Sequence, residues 1–205
     1  MFTENEVAAI ISKEEVRHKV IELRKDFLKS EAQYFEITEH DFLSLMIMTP
    51  TIGIALANGS VSLFEEMALN KKARKLSLGG YFLKKDPVVV AMGFLIKSYD
   101  KWNERIYHDL SDILWTLIDK NSLIGETSQI EESSTNHEYG LNGLNMPFLF
   151  IRCLTSFFMS DEDEDIVKER TVSKVELEVI KDIGSKLGFD QIPFFQKFVT
   201  TFKSK

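Results

Sequence analysis

From Phe42 to Phe64 the chain carries no charged side chain: "FLSLMIMTPTIGIALANGSVSLF" lies between Asp41 and Glu65. A run of that length and polarity has two physical outcomes. It crosses a bilayer, or other parts of the same protein surround it. Its punctuation favours the second. Pro50, Gly53, Asn58, Gly59 and several Ser and Thr interrupt it, and the dense apolar part stops at Ala57. We therefore expect no membrane span. We expect a helix that starts near Thr38 or Glu39, kinks at Pro50, and is apolar on nearly all sides, so that it sits at the centre of the fold.

A central helix needs amphipathic neighbours, and the flanking sequence supplies them. Ser12-Lys-Glu-Glu15 reads as a capping box. Val16, Val20, Leu23 and Phe27 follow at helical spacing, so the spacing predicts a helix to about Phe35. A further helix is expected from Ser62 to near Ser77, stopped by Gly79 and Gly80. Asp86 as cap and Pro87 as first helical residue open another, to about Tyr99. Ile106, Leu110, Ile113, Leu114 and Leu117 form the stripe of a helix expected over 103–120, with Asp109 and Asp112 on its wet side. Trp102 and Tyr107 read as an aromatic anchor at its start. Residues 121–145 are rich in Gly, Ser, Asn and Glu and read as a flexible loop insertion. Helices are then expected from Pro147 through Met159, from Ser173 to Leu187 with Gly188 as stop, and from Ile192 to Phe202. The fold class is all-α: a bundle of about seven to eight helices. At 205 residues, 44% of them apolar and 16 of them Phe, residues 1–205 can form a single helical domain with a substantial core.

Charge and cysteine usage narrow the function. A net charge of -7 argues against nucleic acid as the partner, because phosphate binding needs a basic footprint. One basic patch exists: Lys71, Lys72, Arg74 and Lys75, with Lys84 and Lys85 downstream. It reads as a solvated helix face, with a docking patch for an acidic partner as the alternative. Cys153 is the single cysteine, placed in "FLFIRCLTSFFM"; it reads as a buried structural thiol. The start "MFTENEV" has no basic, apolar leader pattern, so a soluble, cytoplasmic protein is expected. His18, His40, His108 and His137 fit no metal-binding spacing that a helix pair could use and read as single surface histidines.

Two segments are alike. "VSLFEEMALNKKARKLS" at 61–77 and "VSKVELEVIKDIGSKLG" at 172–188 align without a gap. Val61, Ser62, Glu65, Lys75 and Leu76 meet Val172, Ser173, Glu176, Lys186 and Leu187. Each follows an apolar helix, so an internal helix–turn–helix repeat is expected, with units at about 39–77 and 146–188. In both, Ser caps a helix and Glu is its box partner. Val172 and Leu177 can add a hydrophobic staple, whereas Val61 faces Glu66.

The stretch "ANGSVSLFE" at 57–65 resembles the A-D-G-x-[IV]-S-x-x-E signature of the tellurite-resistance TerB-like family. A second, interrupted copy spans "FMSDEDED", "TVSKVE" and "KLGFD". Asn58 stands where that family prefers Asp, and the second copy lacks its Gly. The resemblance covers about half of the chain, in two pieces. It implies an all-helical fold built on a repeat and an association with tellurite resistance and stress responses. It also implies acidic residues near the signatures that bind a partner protein or a divalent cation, with no catalysis attached.

The candidate metal ligands are Asn58, Glu65, Asp161, Asp163 and Glu176. Their oxygens suit Ca²⁺, Mg²⁺ or Mn²⁺ if the two units bring Glu65 and Glu176 together. The competing reading is that both Glu side chains only cap helices. Asp161, Asp163 and Asp165 copy the start of a calcium loop, but Ile166 and Val172 stand where Gly and Glu are required. We therefore expect a non-enzymatic helical module that binds a partner protein or a divalent cation. Two other readings stay open: a metal-dependent carboxylate enzyme, for which Glu15-x-x-His18 supplies the needed spacing only once, and a ligand-free structural or oligomerising domain. The sequence sets no oligomeric state.

Overall fold

The computed structural model describes residues 1–79, 85–125, 148–160 and 165–205. Among them, ten helices and one small sheet follow in the order α1 (Glu4–Ile11), α2 (Glu14–Glu31), α3 (Glu39–Ala55), α4 (Leu63–Leu76), α5 (Pro87–Lys97), α6 (Tyr99–Leu117), α7 (Lys120–Gly125), α8 (Phe148–Phe158), β1 (Arg170–Val172), α9 (Lys174–Lys186), α10 (Pro193–Thr200) and β2 (Phe202–Ser204).

The uncharged run is the axis of the molecule. Helix α3 continues through Pro50 and is buried on every side over most of its length, from His40 to Pro50 without a break. It touches α1, α2, α4, α5, α6, α8 and α9. Thr38 caps it by accepting from the Asp41 amide. Within it, the Ser44 and Thr49 hydroxyls donate to the carbonyls of His40 and Leu45, so neither is left unsatisfied in the core. Burying a helix all round is stable only because its backbone groups are paired internally and its surface is almost wholly apolar.

A second centre is aromatic. Phe150, Phe157, Phe189 and Phe195 are buried together. Ring centroids of Phe150 and Phe189 stand 5.2 Å apart at 78°, and those of Phe189 and Phe195 5.6 Å apart at 61°. These tilted geometries are the ones aromatic quadrupoles favour. The C-terminal phenylalanines Phe194, Phe198 and Phe202 join this core and are not displayed on the surface.

Several elements differ from the sequence reading. Helix α1 was not expected; its start is a capping box in which Thr3 accepts from the Glu6 amide and Glu6 accepts from the Thr3 amide. Ser12 does not cap a helix start. It ends α1, its hydroxyl donating to the Ala9 carbonyl, and α2 begins at Glu14 with no side-chain cap. Helix α2 stops at Glu31, four residues short of Phe35. Helix α6 begins at Tyr99, because Ser98 alone separates it from α5. Residues 121–125 belong to α7 and not to a loop; residues 126–145 of the expected insertion lie outside the described residues.

The protein is mostly helical, but not purely so. Arg170–Val172 pairs in parallel with Phe202–Ser204, in the register Arg170 with Phe202 and Val172 with Ser204. The last helix therefore ends at Thr200, before Phe202. No helix among the described residues is long and apolar enough to cross a membrane.

Candidate docking face and the helix-start carboxylates

The helix that follows the signature begins as its residues dictate. Gly59 takes a φ of 89°, the left-handed region that glycine enters without strain. Ser62 then caps α4: its hydroxyl accepts from the Glu65 amide at 3.3 Å, and Glu65 Oε2 accepts from the Ser62 amide at 2.7 Å. The second copy repeats this chemistry. Ser173 accepts from the Glu176 amide at 3.2 Å, and Glu176 Oε2 accepts from the Ser173 amide at 2.6 Å. Gly188, at a φ of 72°, ends α9. Both carboxylates are half-buried and held at their own helix starts.

Of the five residues proposed from sequence as ligands, three lie among the described residues. Glu65 lies on α4, which packs on α1, α3 and α5. Glu176 lies on α9, which packs on α3, α6, α10 and β2. Asn58 is exposed in the turn before α4. Asp161 and Asp163 lie outside the described residues. Among the described residues no group of three or more His, Cys, Asp or Glu is arranged to hold a metal ion.

Two side chains read from sequence as solvated are buried. Lys72 is 3% exposed. Its ammonium donates to Thr51 Oγ1 at 2.7 Å and to the Met159 carbonyl at 3.4 Å. The Thr51 hydroxyl in turn donates to the Ser156 carbonyl, so one polar chain ties α4, α3 and the end of α8 together. A buried amino group is tolerated where hydrogen bonds replace those it makes to water. His40 is buried too, with Nδ1 3.3 Å from Asp41 Oδ1 and Nε2 3.2 Å from the Glu4 carbonyl. Cys153 is buried as expected, and burial pushes its thiol well above the usual range.

Beside Lys72 a cleft of ≈190 Å³ opens between α3, α4 and α8. Ile54, Ala68, Leu69, Phe157 and Phe158 are among its lining residues, as is Glu65. On another face of α4 the first turns carry apolar side chains in solvent. Leu63 is 71% exposed, Phe64 84% and Met67 62%. Large apolar groups adjacent on one exposed helix face cost solvation and mark interaction sites. The sequence contained this signal in "SLFEEMAL", but periodicity alone does not say which face of α4 meets α3.

A larger, more polar cleft of ≈770 Å³ lies between the end of α3, the α5–α6 junction and α9. Tyr99 and Gly53 line it, and the Tyr99 hydroxyl meets that of Tyr107 at 2.7 Å over Gly53. A Cβ at Gly53 would stand 2.2 Å from the Tyr99 hydroxyl, so only glycine admits that pair. Burial raises the pKa of both phenols. Lys186 closes one side, bridging Asp182 and Glu104 at 2.8 Å each. Comparisons with protein-family models, with curated proteins and with solved structures find no match to the chain.

Proposed function

We propose that the chain is a non-enzymatic, TerB-like helical module that docks a partner protein on the exposed face of α4. The observation that carries this is the solvent exposure of Leu63, Phe64 and Met67 on adjoining turns; a separate cleft lies between α4, α3 and α8. An engineered apolar cavity of about 150 Å³ takes a benzene molecule, so the cleft has room for one anchoring side chain of a partner. Helix-in-groove recognition uses this combination of an apolar stripe and a pocket.

The repeat belongs to the same reading. Ser62 and Ser173 adopt nearly the same backbone angles, φ -73 and ψ 163 against φ -69 and ψ 159, and the first helices of the two units, α3 and α8, pack on each other. The units diverge after that: α4 folds back along α3, while α9 lies on α3, α6 and α10. Only the first copy thus leaves its apolar first turn in solvent to this extent.

The test is affinity capture from lysate by the wild-type chain and by a Phe64→Ser/Met67→Ser variant, with Tyr34→Ser as control, since Tyr34 is 96% exposed elsewhere. We expect a specific protein retained by wild type and by the control and lost from the double variant. Equal retention by all three would remove α4 as the docking face.

A further inference from the structure

Among the described residues, Asn58 is the one asparagine followed by glycine. Asn5, Asn70, Asn103 and Asn121 lie within α1, α4, α6 and α7, each ahead of a residue that carries a side chain. Asparagine is a thermolabile residue, because its carboxamide carbon is open to attack by the backbone nitrogen of the next residue. A side chain on that next residue hinders the attack, and so does a helix or burial that fixes the two residues. None of these protects Asn58. Asn58 and Gly59 are both exposed in the turn between α3 and α4. The place that a Cβ on Gly59 would take has no neighbour within 4 Å. Ala57 and Gly59 also line the polar cleft between α3, the α5–α6 junction and α9, so water reaches the turn.

We propose that Asn58 is a site of spontaneous deamidation in the folded protein. The Gly59 nitrogen, on losing its proton to hydroxide, attacks Asn58 Cγ. The new N–C bond closes a succinimide ring. The bond from Cγ to Nδ2 breaks, and that nitrogen leaves as ammonia. Water then adds to either ring carbonyl: opening one C–N bond leaves aspartate, and opening the other leaves isoaspartate. One water is consumed and one ammonia released, with nothing oxidised or reduced. The fold supplies one brake. The Gly59 N–H donates to the Leu56 carbonyl at 2.8 Å, so attack waits for that bond to open. The opening is local to an exposed turn and does not require α3 or α4 to unfold. Gly59, at a φ of 89°, then rotates freely, because it has no Cβ to restrict it. Either product adds a negative charge at the mouth of the polar cleft. Isoaspartate also lengthens the main chain between α3 and α4 by one methylene.

The full chain, kept folded at pH 7 and at pH 9 and in parallel unfolded in urea, tests this. Peptide mapping by mass spectrometry reads the amide-to-carboxyl mass shift at each asparagine, and an isoaspartyl-specific methyltransferase reads isoaspartate. The mapping also separates Asn58 from Asn142, which precedes Gly143 and lies outside the described residues. In the folded chain we expect the shift at Asn58, with isoaspartate in the same peptide, and no shift at Asn70 or Asn103. The shift should grow faster at pH 9 than at pH 7, since the attacking nitrogen must lose a proton, and faster still in urea at either pH, where the Leu56 bond is gone. Asn58→Gln, its fold checked by circular dichroism, should lose both signals from that peptide. An Asn58 amide that survives in the folded chain while the urea-unfolded chain loses it would overturn the proposal. Conversion spread equally over Asn58, Asn70 and Asn103, or isoaspartate that persists in the same peptide of Asn58→Gln, would also overturn it. Equal rates in the folded chain and in urea would overturn the Leu56 bond as the brake.

Discussion

Ser62 with Glu65, and Ser173 with Glu176, show how far a single residue's chemistry reaches. Each serine satisfies one orphan amide of its helix and each glutamate another. Replacing either serine by alanine should cost about 1 kcal/mol, read from urea unfolding. Glu65→Gln and Glu176→Gln should stay within about 0.5 kcal/mol of wild type, because a glutamine oxygen still accepts from the cap amide. Calorimetry with Ca²⁺, Mg²⁺ and Mn²⁺ is the matching measurement: heat present in wild type and absent in Glu65→Gln would make that carboxylate a ligand as well as a cap. His40 was not legible in this way. Burial opposes its charged form, but Asp41 and the Glu4 carbonyl outweigh burial and raise its pKa. A raised folded pKa gives stability that is fully present below the unfolded value of about 6.5 and lost as pH rises through the folded value. The stability gap between wild type and His40→Gln should therefore narrow from pH 5 to pH 9; a constant gap would mean that the ring works only in its neutral form.

At the scale of elements, helix starts and stops were the most legible features and close packing the least. Thr38, Ser62, Asp86 and Ser173 cap helices where the sequence placed them. Thr3-x-x-Glu6 carried the same signature and marks α1, while Ser12-x-x-Glu15 carried it without using it. The two competed for one short stretch, and α1 took Ser12 as its end. The β1–β2 pair had no readable signal, since three-residue strands from distant points meet only when α9 and α10 bring them together. Gly184 is similar: nothing in "DIGSK" shows why glycine is needed, but a Cβ there would stand 2.2 Å from the Phe195 ring. Gly184→Ala should cost about 1–3 kcal/mol by overpacking, and Phe195→Leu in the same background should recover part of it. Denaturant unfolding of the two variants decides this; no cost in Gly184→Ala would show that the α9–α10 contact gives way freely.

For the whole molecule, the decisive event is the burial of α3. Once that helix is central, α4 must lie on it with Leu69, Ala73 and Leu76 inward. The remaining faces of α4 are then assigned: Lys72 goes into the core beside Thr51, and Leu63, Phe64 and Met67 go into solvent. This inverts what residue type alone suggests, because the position of a side chain around a helix outranks its own solvation when the backbone is fixed by many other contacts. The order and capping of most helices, the central place of the uncharged run and the buried Cys153 followed from the sequence alone, since they depend on local hydrogen bonding and on apolar surface leaving water. The buried Lys72, the buried His40, the glycine contacts, the small parallel sheet and the exposed apolar face came only with the tertiary structure. Each depends on which two surfaces meet, and that is set by packing between segments far apart in the chain.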